Sequence, residues 1–465
     1  MGRWTRRDFL RRTCCTAAAG MAAANFNRFG IMNALAQTTS DYKALVCVFL
    51  FGGNDSNNLV VPMSNSGYAT YQKGRSVLAL PQNQLLAINP PSIGAQFGFH
   101  PRFKNLQALF NSQQAAVMAN VGTLLQPTTA ALVQQGQATV PMNLYSHADQ
   151  QTQMQTASFD QVGNTGWAGR VADNLQSVYP TNFPTIISLA GSNIFCEGLA
   201  VRSIEASGDP TSPLSGFYGS NDDNNRLAAM QSLLTFDTGL SLIQAASTTT
   251  TNAISDSKTL AAALATGKAL ATQFPANSYL ASQLQQVAQI IAVRGALGIQ
   301  RQIFFVQLGG FDTHSDQLPQ QDSLFADLDG SLGAFYQATK ELGVQSQVTT
   351  FTLSDFSRTF QPDSTSGSDH AWGSHHLIMG AGITGGDFYG TFPNQALGGP
   401  DDATGEGRWV PTTSLDQYAA TMAQWFGVAA TDLPTIFPNL PNFSSPTLNF
   451  FPTTGNAKVS RMKVG

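Results

Sequence analysis

An unbroken apolar run from Ala44 to Phe51 constrains the fold more than any other feature of the sequence. Eight apolar residues with no polar alternation are typical of a strand buried on both faces. Such strands belong to mostly parallel sheets covered by helices on each side. Further strand-like runs alternate with helix-like segments, at residues 116–121, 185–189, 303–308, 348–353 and 377–379. This alternation predicts an α/β fold with a mostly parallel central sheet and helices on both faces.

The first 36 residues predict an export signal. Thr5-Arg6-Arg7-Asp8-Phe9-Leu10 carries paired arginines, an alanine-rich stretch follows, and Ala34-Leu35-Ala36 fits a cleavage site. We expect the twin-arginine translocation machinery to export the chain, so that the mature protein begins at Gln37 and is periplasmic or secreted. The alanine-rich stretch is too short for a stable membrane span, which needs about 20 apolar residues, so none is expected in the mature form.

The rest of the chain predicts one large α/β domain at 37–443 and a C-terminal tail at 444–465. Between 221 and 301 the sequence has few strand-like runs and is rich in Ala, Gln, Leu and Ser with helical periodicity. We expect this region to be a helical insertion beside the sheet. The tail lacks periodic apolar residues, so we expect it to be loosely attached.

The charge and cysteine content narrow the classes of partner and cofactor. Removing residues 1–36 takes away six of the 24 basic and one of the 28 acidic residues, which leaves a net charge of −9. Such a chain lacks the basic surface that binding to nucleic acid requires. Only Cys47 and Cys196 remain, so a cysteine-based metal site cannot be built.

Titratable side chains collect where the predicted strands end. "FLFGGND" ends on two glycines and Asp55, and "FFVQLGGFDTH" repeats the pattern with Asp312 and His314. "VTTFTLSDFSRT" ends on Asp355, with Arg358 close behind. A glycine-rich loop before another strand, and a helix-like segment, contribute further candidates: Asp369, His370, His375, His376, Ser146 and His147.

The carboxyl ends of parallel strands share one edge of a sheet, so these groups are expected to converge there. Clustered acids repel one another unless a cation compensates their charge. Asp with His suits Zn²⁺, Mn²⁺ or Fe²⁺, whereas an all-oxygen set favours Ca²⁺ or Mg²⁺. Asp312 and His314 are two residues apart, so on an extended backbone both point the same way and can share an ion. We expect one or two divalent cations.

Each patch also has a structural interpretation when it is taken alone. An aspartate at a strand end commonly caps a helix or forms a turn. A Ser-His pair such as Ser146-His147 commonly caps a helix, and His375 could pack beneath Trp372. Four patches at the same edge are much harder to explain in this way.

The motifs resemble a known family. "FLFGGNDSNNLVVP", "YSHADQQTQMQ", "LGGFDTH", "LSDFSRT" and "SDHAWGSHHLIMG" occur in the order found in the exported family called domain of unknown function 1501. That family is similar to the alkaline phosphatase and sulfatase superfamily. The resemblance implies that fold and a metal-assisted hydrolytic site.

The resemblance also implies roles for individual residues. Asp55 matches the first-strand aspartate that holds a metal, and Ser146 matches the superfamily nucleophile. Asp312 matches the aspartate of the other metal site, and Asp355 with His370 match a late-strand aspartate and the histidine after it. By this reading Ser146, His147 and Arg358 are catalytic, and Arg358 either clamps a phosphoryl oxygen or forms a salt bridge.

Three departures from the superfamily leave two hypotheses. Phosphatases follow the late aspartate directly with histidine, where this chain has Phe356, and His314 lies two residues past Asp312 where four are usual. The formylglycine signature of sulfatases is missing, which makes a sulfatase the weaker choice. The first hypothesis is an exported metal-dependent hydrolase of small anionic phosphoric esters with a serine nucleophile. The alternative is a non-catalytic protein that binds a ligand or partner at the cell surface.

Overall fold

A computed structural model describes residues 41–206, 220–236, 239–380 and 382–452. The predicted export signal, and the predicted tail from residue 453 onwards, lie outside the described residues. The tail residues that are described pack against the domain, because Phe450 is fully buried and Phe451 stacks on Trp425. Among the described residues, none of the helices is both long and apolar enough to cross a membrane.

The described chain contains short and long strands in the following order. They are β1 (Lys43–Leu50), β2 (Val60–Pro62), β3 (Leu86–Ile88), β4 (Phe97–Phe99), β5 (Ala115–Gly122), β6 (Ile186–Ser188), β7 (Ser203–Glu205), β8 (Arg301–Leu308), β9 (Val348–Ser354), β10 (Ser374–Gly380), β11 (Phe388–Tyr389) and β12 (Thr413–Ser414). Each of the six strand-like runs in the sequence coincides with one of these strands.

The helices fall between the strands. They are α1 (Asn65–Arg75), α2 (Lys104–Asn111), α3 (Ala130–Gln134), α4 (His147–Thr156), α5 (Trp167–Leu175), α6 (Asn221–Leu234), α7 (Ser241–Leu264), α8 (Tyr279–Ala292), α9 (Gln317–Glu341), α10 (Leu415–Phe426) and α11 (Leu433–Ile436).

Nine of the described strands form one mixed sheet in the order β11-β5-β10-β9-β1-β8-β6-β7, with β12 also paired to β5. The strands from β9 to β7 are parallel to one another, while β10 is antiparallel to both of its neighbours. β2, β3 and β4 form a separate small sheet. The predicted mostly parallel sheet is therefore confirmed.

Two apolar cores cover the two faces of the sheet, as expected for a strand such as β1 that is buried on both sides. Leu45, Cys47 and Phe49 face one core, which α5 and α10 cover. Alternate residues of the same strand, such as Val46 and Val48, face the other core, which α8 and α9 cover. The α/β layering with helices on both faces is therefore confirmed.

The predicted helical insertion contains three helices with different roles. α8 packs against the sheet, and its apolar stripe of Leu280, Leu284 and Val287 is fully buried. α6 and the first half of α7 are largely exposed. Only the earlier part of this region therefore stands outside the core, and α8 serves as one of the covering helices.

The register of the three central strands aligns their carboxyl ends. Leu50 of β1 lies opposite both Leu308 of β8 and Ser354 of β9. The residues that follow these three positions therefore emerge from the same edge of the sheet. The predicted site residues Asp55 and Asp312 are on these loops, and Asp355 is the next residue after β9.

Candidate metal centre

The glycines after β1 allow two loops to approach closely. Gly52 has φ +110°, and a Cβ atom there would lie 2.5 Å from the backbone nitrogen of Asp312. Gly53 has φ +78°, and a Cβ atom there would lie 2.4 Å from the ring of Phe356. Because a side chain at either position would collide, these glycines are what brings the β1 loop against the loops after β8 and β9.

Three histidines and one arginine surround a single oxygen of Asp312. The Oδ1 atom lies 3.0 Å from His314 Nε2, 3.3 Å from His147 Nε2 and 3.5 Å from His370 Nε2. Arg358 Nη1 donates to the same oxygen at 2.8 Å. The expectation that Asp312 and His314 point the same way agrees with this geometry.

The opposite ring nitrogen of each histidine faces an oxygen. His147 Nδ1 lies 2.7 Å from Asp355 Oδ2, and His370 Nδ1 lies 2.8 Å from the backbone carbonyl of Tyr145. His314 Nδ1 lies 3.5 Å from Asp369 Oδ1. A carbonyl oxygen can only accept, so His370 carries its proton on Nδ1, and the carboxylate of Asp355 favours the same tautomer for His147. The Nε2 atom of each therefore carries a lone pair. That of His147 faces Asp312 Oδ1 at 3.3 Å, and that of His370 can accept from His314 Nε2 at 3.0 Å.

The pKa shifts agree with an ionised carboxylate among imidazoles. Partial burial raises the pKa of Asp312, but the hydrogen bond and charge of Arg358, with His147 and His314, outweigh burial and hold the pKa below its usual value. The pKa of His147 is raised, chiefly by its hydrogen bond to Asp355. The pKa of His370 is lowered because burial disfavours its charged form.

The residues fit a divalent cation. Ligand atoms of His147, Asp312 and His370 all lie within 4.8 Å of one another. His147 Nε2 is buried and makes no hydrogen bond, although it belongs to a ring whose other nitrogen is firmly held. An imidazole whose second nitrogen is held by a carboxylate or carbonyl is the usual arrangement of a metal-bound histidine. The mixed nitrogen and oxygen set suits Zn²⁺, Mn²⁺ or Fe²⁺.

A second group lies on the solvent side of His314. His314, Asp363 and Asp369 also present ligand atoms within 4.8 Å of one another. Asp363 Oδ1 already accepts hydrogen bonds from Thr365 and Gly367 within its own turn. Because these bonds fix the turn, the carboxylate of Asp363 has a structural role before any ion is considered.

Arg358 holds two loops together inside the protein. Its side chain is fully buried, and it donates to Asp312 through Nη1 and to the carbonyl of Ser368 through Nη2. It therefore forms the salt bridge that the sequence left open, in buried form. These contacts orient Asp312, and the fully buried side chain is not exposed as a phosphoryl clamp would be.

Ser146 lies at the start of α4, as predicted, immediately before His147. Its Oγ makes no capping bond to the helix and instead donates to Asp149 Oδ2 at 2.6 Å. Asn143 and Tyr145, just before it, have φ values of +49° and +75°. Left-handed conformations are uncommon for such residues and are frequent near functional sites. Here the turn directs the Tyr145 carbonyl to His370.

Asp55 is not part of either candidate metal group in the described chain. It is fully buried and paired with Arg75, whose side chain is also fully buried. Gln317 donates to the same oxygen, and the backbone and side chain of Asn57 donate to the other. The prediction of a metal ligand is not supported here, because an internal arginine already supplies the opposite charge.

Asp355 contacts the centre indirectly. Its Oδ2 atom holds His147 Nδ1, and its Oδ1 atom accepts from the backbone nitrogen of Gly52 at 3.2 Å. It belongs to neither candidate metal group among the described residues. The structure therefore places Asp355 behind His147, whereas the sequence predicted that Asp355 is itself a metal ligand.

His375 and His376 lie inside β10 and belong to neither group among the described residues. His375 stacks on Phe392 rather than on Trp372, and accepts a hydrogen bond from the backbone nitrogen of Asn120. His376 stacks on Tyr418. Burial lowers the pKa of each to about 3. Strand alternation turns them into the two apolar cores, so the structure does not support them as metal ligands.

Phe356 fills the position where phosphatases carry histidine. Its ring lies 4.8 Å from the rings of both His147 and His370, measured between centroids. The phenyl ring offers no ligand atom. It packs against the two histidines from one side as an apolar wall.

Sequence reasoning missed several partners of these groups. Gln151 donates to Asp355, Arg75 pairs with Asp55, and Asp363 joins the second group. Gln151 follows His147 by four residues, so helical spacing alone places the two on one face and could have identified it. Nothing local in the sequence connects Arg75 to Asp55, because α1 must first fold back over the β1 loop.

One protein-family model matches most of the chain. The family model described as "Protein of unknown function (DUF1501)" matches residues 42–404. The protein belongs to the DUF1501 family. No curated protein sequence matches the chain significantly.

Solved structures resemble this DUF1501 protein weakly. The lipoteichoic acid synthase LtaP from Listeria monocytogenes has a TM-score of 0.32 and 9% identity, covering 83% of this chain and 72% of that chain. The PsFucS1 sulfatase from Pseudoalteromonas sp. has a TM-score of 0.34 and 9% identity, covering 87% and 71%. The periplasmic domain of EcEptC from Escherichia coli, in complex with Zn, has a TM-score of 0.28 and 10% identity, covering 73% of each. Scores of this size carry no argument about activity.

Proposed function

We propose that the protein is an exported, metal-dependent hydrolase of phosphoric esters, and less readily of sulfuric esters, with Ser146 as nucleophile. The observation that carries the proposal is the convergence of three imidazole Nε2 atoms on Asp312 Oδ1. One of these histidines, His147, directly follows Ser146 at the start of α4. The substrate would be a small anionic ester.

His147, His370 and Asp312 would hold the cation, and His314 lies beside them with its Nε2 3.0 Å from Asp312 Oδ1. When bound, a divalent cation in such a site supplies Lewis acidity to an ester oxygen. The remaining contacts keep these residues in place, since Asp355 and the Tyr145 carbonyl fix the tautomers and Arg358 orients Asp312.

Ser146 and Asp149 supply the groups for nucleophilic attack. The Ser146 hydroxyl donates to Asp149 Oδ2, so the proton has an acceptor when Oγ attacks phosphorus. As the Oγ–P bond forms, the bond from phosphorus to the ester alcohol breaks, and the alcohol leaves with a proton from solvent. Water then hydrolyses the phosphoserine, which releases phosphate and restores the Ser146 hydroxyl. The pKa of Asp149 is lowered, chiefly by the hydrogen bonds from Ser146 and then Asn143. The start of α4, a helix of ten residues, favours an anionic ester through its backbone N–H groups and dipole.

The second candidate is the non-catalytic protein that binds a ligand or partner at the cell surface. Two observations favour it. Arg75 takes the place of a cation beside Asp55, and Phe356 stands where phosphatases carry a histidine ligand of the second metal. Both reduce the number of cations below that of a two-metal enzyme. Neither affects the group around Asp312.

Metal analysis and ester hydrolysis separate the two. The mature protein would be purified, its bound metals measured, and phosphomonoesters, phosphodiesters and sulfate esters assayed with wild type and Ser146→Ala. We expect bound metal in both proteins and hydrolysis only by wild type. Ser64→Ala is the matched control, because Ser64 is the N-cap of α1 and bonds only locally to Gly67. A metal-free wild type, inert on all three ester classes, would establish the binding alternative.

A further inference from the structure

Asp355 is held on both of its oxygens. Its side chain is fully buried at the end of β9. Oδ2 accepts from His147 Nδ1 and from Gln151 Nε2, each at 2.7 Å, and Oδ1 accepts from the backbone nitrogen of Gly52. A buried carboxylate with a donor on each oxygen has one preferred orientation.

The two side chains that share Oδ2 come from one helix. His147 and Gln151 are four residues apart on α4 and therefore lie on the same face, one turn from each other. Their donors reach a single oxygen that belongs to a different element, β9. Gln151 thus connects the helix that carries His147 to the strand that carries Asp355, independently of the histidine.

We propose that Gln151 is a positioning residue that fixes Asp355, and through Asp355 fixes His147, for cation binding. This inference rests on the proposed function. With Gln151 in place, Asp355 Oδ2 stays opposite His147 Nδ1, the proton remains there, and the Nε2 lone pair stays directed toward Asp312. Without it, Oδ2 loses one of its two donors, and the carboxylate can turn away from the imidazole.

The test compares two glutamines of the same helix. Gln151→Met removes the donor while keeping the length and volume of the side chain. Gln153→Met is the matched control, because Gln153 lies on the same helix, is more deeply buried than Gln151, and donates to the backbone carbonyl of Met142. Both variants and wild type would be titrated with Zn²⁺ by calorimetry, and their visible spectra would be recorded with Co²⁺.

We expect Gln151→Met to bind Zn²⁺ about 10- to 100-fold more weakly than wild type, the range found for partners of metal-bound histidines. Its Co²⁺ absorption bands should shift, since the position of His147 changes, which a loss of stability alone would not produce. Gln153→Met should keep wild-type affinity and spectrum.

The outcomes separate this inference from the proposed function. Wild-type binding with Gln151→Met within about twofold of it would overturn the inference and leave the function standing. Equal weakening in Gln151→Met and Gln153→Met would also overturn it, because the effect would then belong to the helix as a whole. A wild type that binds neither Zn²⁺ nor Co²⁺ overturns both.

Discussion

Two aspartates that each lie two residues after a Gly-Gly pair have different surroundings in this protein. Gly52-Gly53-Asn54-Asp55 and Gly309-Gly310-Phe311-Asp312 each follow a central strand, and the two strands are neighbours in register. Asp55 is fully buried against Arg75, whereas the Asp312 side chain is 48% exposed and lies among three histidines. The motif places a carboxylate at the edge of the sheet, but the groups opposite decide what it does.

The physical difference between the two is the source of positive charge. At Asp55 the compensating positive charge is the guanidinium of Arg75, which also donates to the backbone carbonyls of Thr359 and Phe360. At Asp312 the chain supplies one arginine and the imidazole nitrogens of three histidines, among which we propose ligands for an external cation. The first arrangement cross-links the fold, and the second leaves a candidate binding site.

Breaking the Asp55–Arg75 pair should have the largest effect on stability. Arg75→Met leaves a buried carboxylate without its charge partner, which typically costs about 3–5 kcal/mol of unfolding free energy. Zinc affinity of the folded fraction should stay at the wild-type value. Urea unfolding and zinc titration would measure the two quantities.

The double variant Asp55→Asn/Arg75→Met provides the control for that experiment. It removes both charges, so we expect part of the lost stability to return. If the double variant is no more stable than Arg75→Met, the pair does not stabilise the fold through charge compensation.

Replacing each aspartate by asparagine should show which of the two contributes to zinc binding and which to stability. Asp312→Asn should weaken zinc binding by more than about 100-fold, since loss of outer partners alone costs 10- to 100-fold. The asparagine oxygen can still accept from Arg358, so the protein should remain folded. Asp55→Asn should lower stability and leave zinc affinity unchanged. Calorimetric titration of both variants tests this, and the reverse pattern would make Asp55 the ligand.

Replacing the first glycine of each motif by alanine should also affect stability differently, with the larger loss at Gly52 than at Gly309. Gly52→Ala forces a side chain into a left-handed conformation against the backbone of Asp312, and we expect a loss of about 1–3 kcal/mol. Gly309→Ala meets nothing within 4 Å, so its effect should stay within about 0.5 kcal/mol. Chemical unfolding of the two variants measures both values, and equal effects would contradict the close approach at Gly52.

The pH dependence of the unfolding free energy should distinguish the role of the buried His376 from that of the histidines around Asp312. The folded-state pKa of His376, about 3, lies below the 6.5 of an exposed histidine. The unfolded chain therefore binds a proton that the folded chain does not, and stability falls as the pH falls from 6.5 toward 3. His376→Phe should remove about 1.4 kcal/mol of this loss per pH unit and leave zinc affinity unchanged.

Urea unfolding of His376→Phe at several pH values between 7 and 4 provides the measurement. Tyr418→Phe keeps the ring that stacks on His376 and serves as control, with an unchanged pH slope expected. A pH slope in His376→Phe equal to that of wild type would show that His376 is not buried in its neutral form.

The sequence by itself determined the layered fold and the edge of the sheet at which the titratable side chains lie. Apolar runs without alternation require burial on both faces, and parallel register then brings Asp55, Asp312 and Asp355 to one edge. The short spacing between Asp312 and His314 also predicted that these two side chains lie together, because it depends only on local backbone geometry.

Only the tertiary structure decided which of these groups face one another. Arg75 reaches Asp55 from a separate helix, Asp355 lies behind His147, and the pleat of β10 turns His375 and His376 into the cores. Metal binding depends on distances of a few ångströms between loops far apart in the chain. Such distances are set by packing, which residue type and local spacing do not encode.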